Sequence, residues 1–160
     1  MILIKMKNII TNTVNAIKSG KRNILISDIN DKLHIIAYDI IMHTNAKHTI
    51  IYSQDIDSWY NVDLPDNVIK IKYDDIVDDI NIDDDKMLII FVSEHDNIKN
   101  KFKREADLFV ADNIIQNKTK LNDIESKLNI KYATILYLSN LSYETLNSYD
   151  VICKDMEIIQ

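Results

Sequence analysis

The most restrictive feature of this chain is a stretch that is apolar at consecutive positions rather than at every second position. Residues 87–92 read MLIIFV, and the shorter stretch 24–26 reads ILI. A strand with one face in water alternates apolar and polar side chains, whereas a strand covered on both faces does not. These stretches therefore predict central strands of a sheet that is covered on both faces.

Segments with a helical spacing of apolar residues alternate with predicted strands along most of the chain. Helices are predicted over residues 6–19, 32–44, 98–105, 115–128 and 143–146, with a short acidic helix or turn over 74–80. Strands are predicted over residues 23–26, 48–53, 68–73, 87–92, 108–111, 133–138 and 151–153. This alternation predicts a three-layer α/β domain with a mostly parallel sheet flanked by helices.

The length and the net charge of the chain limit the classes of protein to which it can belong. The chain has 160 residues, of which 46% are hydrophobic and 28% charged, and its formal net charge is −6. This length predicts one domain over residues 1–160, with an N-terminal helical segment, 1–20, packed on it. The acidic balance argues against a general binder of nucleic acid or membrane surfaces. No apolar run is long enough to span a membrane, and Lys5 and Lys7 interrupt the apolar N-terminus, so we expect no signal peptide.

Residue usage bears on source and compartment. The single cysteine, Cys153, excludes a disulfide framework and a cysteine-based zinc site, which fits a reducing compartment. Isoleucine, asparagine and lysine abound, while Arg22 and Arg104 are the only arginines. Such usage is typical of an AT-rich genome, as in a large DNA virus, an AT-rich bacterium or a protist. We expect a soluble, cytoplasmic protein, located in the host cell if the gene is viral.

The scarcity of glycine limits nucleotide chemistry. The chain has one glycine, Gly20, and one proline, Pro65. Glycine-rich loops let backbone amides close on phosphate oxygens without a Cβ in the way. A single glycine cannot supply either the dinucleotide-binding motif or the P-loop motif. The sequence therefore predicts no cofactor.

Residues 23–45 nevertheless have the layout of a P-loop, with a short strand, the polar turn SDINDK and a helical pattern. This stretch resembles the first strand, loop and first helix of P-loop NTPases. If Lys32 is placed at the P-loop lysine, Ile26 and Asp31 take the glycine positions and Leu33 takes the position of the magnesium-binding hydroxyl. Asp28 and Asp31 then put negative charge where phosphate would bind. Lys32 is the one candidate nucleotide contact that remains.

Element order extends the resemblance over residues 22–153, where it is similar to that of the genome-packaging ATPases of large DNA viruses. Residues 87–92 take the place of the Walker B strand, after which only Glu94 remains as an acidic residue. Residues 133–139, followed by Asn140, look like the later strand that carries a polar sensor residue. The resemblance implies a degenerate P-loop-like domain without nucleotide chemistry. The alternative is an unrelated Rossmann-like domain.

A polar cluster follows the predicted central strand. Glu94 and His95 lie there between Ser93 and Asp96. Ligands and catalytic groups favour the carboxyl ends of such strands, so Glu94 and His95 are the candidate catalytic residues. The alternative is a polar turn with no chemical role. The acidic segment 74–85 lacks the ligand spacing of a calcium loop, so we expect a solvated face and no metal site.

Two further groups are candidates for contacts with macromolecules. A basic region inside this acidic protein includes Lys99, Lys101, Lys103 and Arg104, with Lys118 and Lys120 further on. It could contact nucleic-acid phosphates, and the alternatives are a solvated helix face or a contact with the acidic segment of a neighbouring copy. Trp59 and Tyr60 are candidate anchors for a protein partner, unless they fold back onto the sheet edge.

The prediction for function is a non-catalytic domain, a pseudo-enzyme, that acts through contacts with a protein partner or with further copies of itself. A virus-encoded, NTPase-derived assembly or regulatory factor would have these properties. The first alternative is an enzyme with an atypical site at residues 93–96. The second is a nucleic-acid-binding accessory protein that uses the basic face over residues 99–120.

Overall fold

A computed structural model of the chain describes residues 2–28, 49–53, 68–72, 75, 86–93, 105–112, 132–149, 152 and 155–159. Two helices and seven strands lie within these residues. In chain order they are α1 (Ile2–Lys18), β1 (Asn23–Ile26), β2 (Thr49–Ser53), β3 (Val68–Lys72), β4 (Met87–Ser93), β5 (Ala106–Asp112), β6 (Tyr132–Leu138), α2 (Tyr143–Ser148) and β7 (Met156–Ile159).

The strands form a single sheet of 7 strands in the order β3-β2-β4-β5-β6-β1-β7. Every neighbouring pair runs parallel. Parallel sheets are stable when both faces are covered, and the uninterrupted apolar residues of the inner strands meet that requirement. The predicted α/β class with a parallel sheet is therefore confirmed.

The inner strands supply most of the core that the structure describes. β1 is buried along its whole length, and the described side chains of β4 and β5 are almost all buried. Tyr137 and Phe109 are the largest fully buried side chains, on the neighbouring strands β6 and β5. Burying an apolar side chain such as Phe109 stabilises the fold by about 1.5–3 kcal/mol relative to leaving it in water, so the centre of the sheet contributes strongly to the stability of the described core.

α1 packs on the sheet near β1 and β7. Its buried residues recur at helical spacing and include Ile9, Thr13 and Ala16. The buried Thr13 hydroxyl donates to the Ile9 carbonyl at 2.7 Å, so its polar group is satisfied within the helix. The helix ends at Lys18, and Gly20 lies in the turn that follows, where its N–H donates to the Ile17 carbonyl at 3.1 Å with φ at +76°. The predicted helix is confirmed, and it begins at Ile2 rather than at residue 6.

Most predicted strands agree with the structure to within a residue, with two exceptions. β5 extends two residues further toward the N-terminus and one further toward the C-terminus than predicted, because its ends pair with β4 and β6. The strand predicted over residues 151–153 is wrong, since Ile152 lies outside every strand and the last strand is β7. β7 is a strand because it pairs with β1 and buries Met156 and Ile159.

The helical turn predicted over residues 143–146 is confirmed as part of α2. The other predicted helices lie wholly or mostly outside the described residues. The helices over residues 32–44 and 115–128 lie outside the described residues. Most of 98–105 does as well, except Glu105, which is not helical. Only Asp75 of the acidic segment 74–85 is described.

Candidate functional site

The loops that follow β1 and β6 meet at the carboxyl edge of the sheet. In the parallel pairing of these strands, Ile26 lies beside Leu138, so Ser27 and Ser139 are the first residues beyond each strand. In the strand order, β2 lies on the β6 side of β1, whereas β7 lies on the β1 side of β6, so the connections that follow β1 and β6 run in opposite directions past each other. A point where the connections of two neighbouring strands reverse direction is a topological switch point, where ligands of open parallel sheets usually bind. This edge is therefore the candidate functional site.

Backbone hydrogen bonds tie the start of the β1 loop to both neighbouring segments. The Asp28 N–H donates to the Leu141 carbonyl at 3.0 Å, and the Ser27 N–H donates to the Ile159 carbonyl at 3.4 Å. The Ser139 N–H donates to the Ile26 carbonyl at 3.0 Å. The first two amides of the loop therefore bind protein carbonyls, which fixes the start of the turn that follows β1.

Asp28 has a backbone conformation that usually favours glycine. Its φ is +60°, in the left-handed region, and among the described residues it is the only non-glycine with a positive φ. Aspartate and asparagine tolerate this region better than other side chains do, because their short polar groups can bond locally. The turn is therefore made without glycine, and it carries an exposed carboxyl group at the candidate site.

The hydroxyl groups on the β6 side are also engaged by the backbone. The Leu141 N–H donates to Ser139 Oγ at 3.1 Å, and Ser139 is buried. Ser142 caps α2, since its Oγ accepts from the Thr145 N–H at 3.2 Å and lies 2.9 Å from Thr145 Oγ1. Asn140, the residue at the predicted sensor position, is exposed between these two serines. The two hydroxyl groups shape the loop, and Asn140 is the polar side chain left facing solvent.

The structure describes few of the side chains that the sequence singles out. Lys32, Trp59, Tyr60, Glu94, His95 and Asp96 lie outside the described residues, as do Lys99, Lys101, Lys103, Arg104, Lys118 and Lys120. Their predicted roles therefore stay predictions. Ser93 is described as the last residue of β4, at the same carboxyl edge as Ser27 and Ser139.

Asp112 is a candidate that the sequence analysis missed. It is the last residue of β5, and the register places it beside Ser93 of β4 on one side and beside Leu138 of β6 on the other. The signal was present in the sequence, because the apolar residues 108–111 are followed directly by an acidic one. The predicted strand ends at residue 111, one residue before Asp112, so the prediction does not place Asp112 at the carboxyl edge of the sheet.

Neither a cluster of metal ligands nor a membrane-spanning helix lies within the described residues. Within the ranges given above, no three His, Cys, Asp or Glu side chains lie close enough to share a metal ion. No helix in that part of the chain is long and apolar enough to cross a membrane. The candidate site is thus defined by strand ends and by the hydrogen bonds of its loops.

Comparison with known proteins identifies no similar protein. No family model, no curated protein and no solved structure matches this chain. The class of protein is therefore defined by its fold alone, as an α/β protein with a parallel sheet.

Proposed function

We propose that this protein is a non-catalytic α/β domain that acts through contacts with other protein chains. Its three-layer fold would be derived from a P-loop ancestor whose nucleotide site has been lost. The observation that carries this proposal is the turn after β1, where the Ser27 and Asp28 amides donate to the Ile159 and Leu141 carbonyls. Amides that already have protein acceptors are poor donors for a phosphate.

Charge at this turn supports the same proposal. Asp28 is exposed beside the switch point, and Asp31 follows it in the sequence. A carboxylate repels a phosphate group at short range, and water screens this repulsion only in part. Binding a phosphate group to the Ser27 and Asp28 amides would therefore require breaking their hydrogen bonds and overcoming repulsion between like charges.

An exposed apolar side chain supports the proposal that the domain acts through contacts with other proteins. Among the described residues, Ile69 of β3 is the only large hydrophobic side chain that is exposed, at 46%. One such residue is ordinary on a protein surface, but its place on a strand at the border of the described sheet is the usual setting for strand addition.

The test is a thermal-shift titration of the full chain with Mg-ATP and Mg-GTP, with Mg-AMP and magnesium alone as controls. A ligand at a hundredfold excess over its Kd would stabilise the protein by about 2.7 kcal/mol. For a chain of this length, that gain corresponds to a rise in Tm of roughly 5–10 °C. We expect no rise. A clear rise with a triphosphate that is lost in Lys32→Ala would overturn the proposal and establish Lys32 as a nucleotide contact.

One observation favours an enzyme as the second candidate. The register places Ser93 beside Asp112 at the carboxyl edge, next to the predicted catalytic residues Glu94 and His95. Hydroxyl and carboxyl groups on adjacent strand ends are a common start for acid–base chemistry. This alternative predicts that His95→Ala and Asp112→Asn abolish an activity while the circular dichroism spectrum stays unchanged.

A further inference from the structure

The two border strands of the described sheet carry side chains of opposite charge. β3 lies at one end of the strand order and β7 at the other, so each has one neighbouring strand among those that the structure describes. A strand at a sheet border presents unpaired backbone groups to any other extended chain that approaches it. The charges along each border therefore determine which chain can be added there.

The β3 border is basic and apolar. Its sequence, VIKIK, contains two lysines, Lys70 and Lys72, and Lys72 is partly exposed. Ile69 is exposed on the same strand. Lysines on a border strand oppose pairing with another lysine-bearing strand, because like charges directly across from each other repel. Two copies of β3 are thus poorly suited to pair with each other.

The β7 border is acidic. Glu157 in the middle of the strand is exposed, Ile158 is partly buried, and the exposed Asp155 directly precedes the strand. Two copies of β7 would place two acidic strands side by side, and like charge would oppose their pairing. β7 against β3 instead places an acidic strand beside a basic one and covers Ile69 and Ile158, a favourable combination of charge and apolar contact.

We propose that the β3 border of one copy binds the β7 border of the next copy, which would continue the sheet from molecule to molecule. This inference rests on the proposed function, because it identifies a second copy of this chain as the protein partner. The two surfaces in contact differ, so the association is head-to-tail. Repetition of a head-to-tail contact gives rings or open chains of molecules rather than a two-fold dimer. The strands in contact are short, so we expect weak and reversible association.

The test is sedimentation velocity of the full chain over a concentration series, at low and at high salt. We expect the average mass to rise with concentration beyond that of a dimer, and to fall when salt screens the charges. Lys72→Glu and Glu157→Lys should each reduce this rise. The double variant carries both reversals and should restore it, because positions 72 and 157 again carry opposite charges. Lys18→Glu, on the exposed end of α1, changes the net charge as much as Lys72→Glu does and should leave association unchanged.

Three results would overturn the inference: a monomer at every concentration, a two-fold dimer, or association that Lys72→Glu and Glu157→Lys leave unchanged. Circular dichroism of each variant would show whether a loss of association comes from a loss of folding. If a single variant failed to fold, the double variant and the salt series would still test the contact. The nucleotide titration is independent of these measurements, so failure of the inference and failure of the proposed function can be told apart.

Discussion

At the scale of single residues, Gly20 lies at a position where the backbone conformation, and not the space around it, favours glycine. Its φ is +76°, and a Cβ added there would meet no atom within 4 Å. The cost of Gly20→Ala is therefore backbone strain alone, about 1–2 kcal/mol, partly offset by the lower entropy of the unfolded chain. We expect the free energy of unfolding to fall by about 1 kcal/mol in urea denaturation. Gly20→Asn should cost less, and an equal loss in the two variants would contradict this explanation.

Asp107 provides a second prediction at this scale. Its Oδ2 accepts from the N–H of buried Leu88 at 2.7 Å, which ties the start of β5 to the start of β4. Hydrogen bonds to charged groups contribute about 1.5–3 kcal/mol, so Asp107→Ala should lower the free energy of unfolding by about that amount. Asp107→Asn keeps an acceptor oxygen and should lose less. If the alanine and asparagine variants unfold at the same urea concentration, the bond to Leu88 contributes little.

At the scale of elements, α2 depends on its cap because it has only six residues. Ser142 Oγ accepts from the Thr145 N–H, and Leu146 anchors the helix in the core. Loss of such a cap typically costs about 1 kcal/mol, so Ser142→Ala should destabilise the protein by about that amount. Ser148→Ala is the matched control, since the Ser148 hydroxyl is exposed and donates to a carbonyl within the same helix. A comparable loss in both variants, measured by thermal unfolding, would show that the cap is not the cause.

The elements that the sequence predicts well are those whose own residues determine burial. β1 agrees with its prediction at both ends, and β4 does to within a residue, because their apolar residues are consecutive. β7 was misplaced for the opposite reason. The residues VIC at 151–153 are at least as strand-like as MEII in β7, and only the pairing with β1 distinguishes the two. The spacing of apolar residues indicates which segments are buried. Which strand a segment pairs with depends instead on contacts with residues distant in sequence.

At the scale of the whole molecule, some features of the candidate site follow from the local sequence, whereas others depend on which strands lie side by side. The missing glycines of the β1 turn and the carboxyl group of Asp28 can be read directly from the sequence. The hydrogen bonds that occupy the Ser27 and Asp28 amides depend on the placement of β1 between β6 and β7. No local pattern fixes that strand order, which places Asp112 beside Ser93 and Leu138 at the same edge.

The strand order also predicts how protection against hydrogen exchange should vary across the sheet. β5 lies between β4 and β6, and its residues 108–111 are buried, so its amides should open only with global unfolding. β3 has one neighbouring strand among those described and exposes Ile69, so its amides should exchange fastest within the sheet. Mass-spectrometric exchange on dilute protein should therefore rank β5 as most protected and β3 as least.

Hydrogen exchange measured on concentrated protein tests the proposed head-to-tail contact. If β3 binds β7 of a second copy, protection of both borders should rise with concentration while that of β5 stays constant. Lys72→Glu should remove the concentration dependence and leave the ranking in dilute protein as it was. Slow exchange of β3 at every concentration, in both the wild type and Lys72→Glu, would mean that this border is covered within a single chain, and the head-to-tail contact would then have no free strand to use.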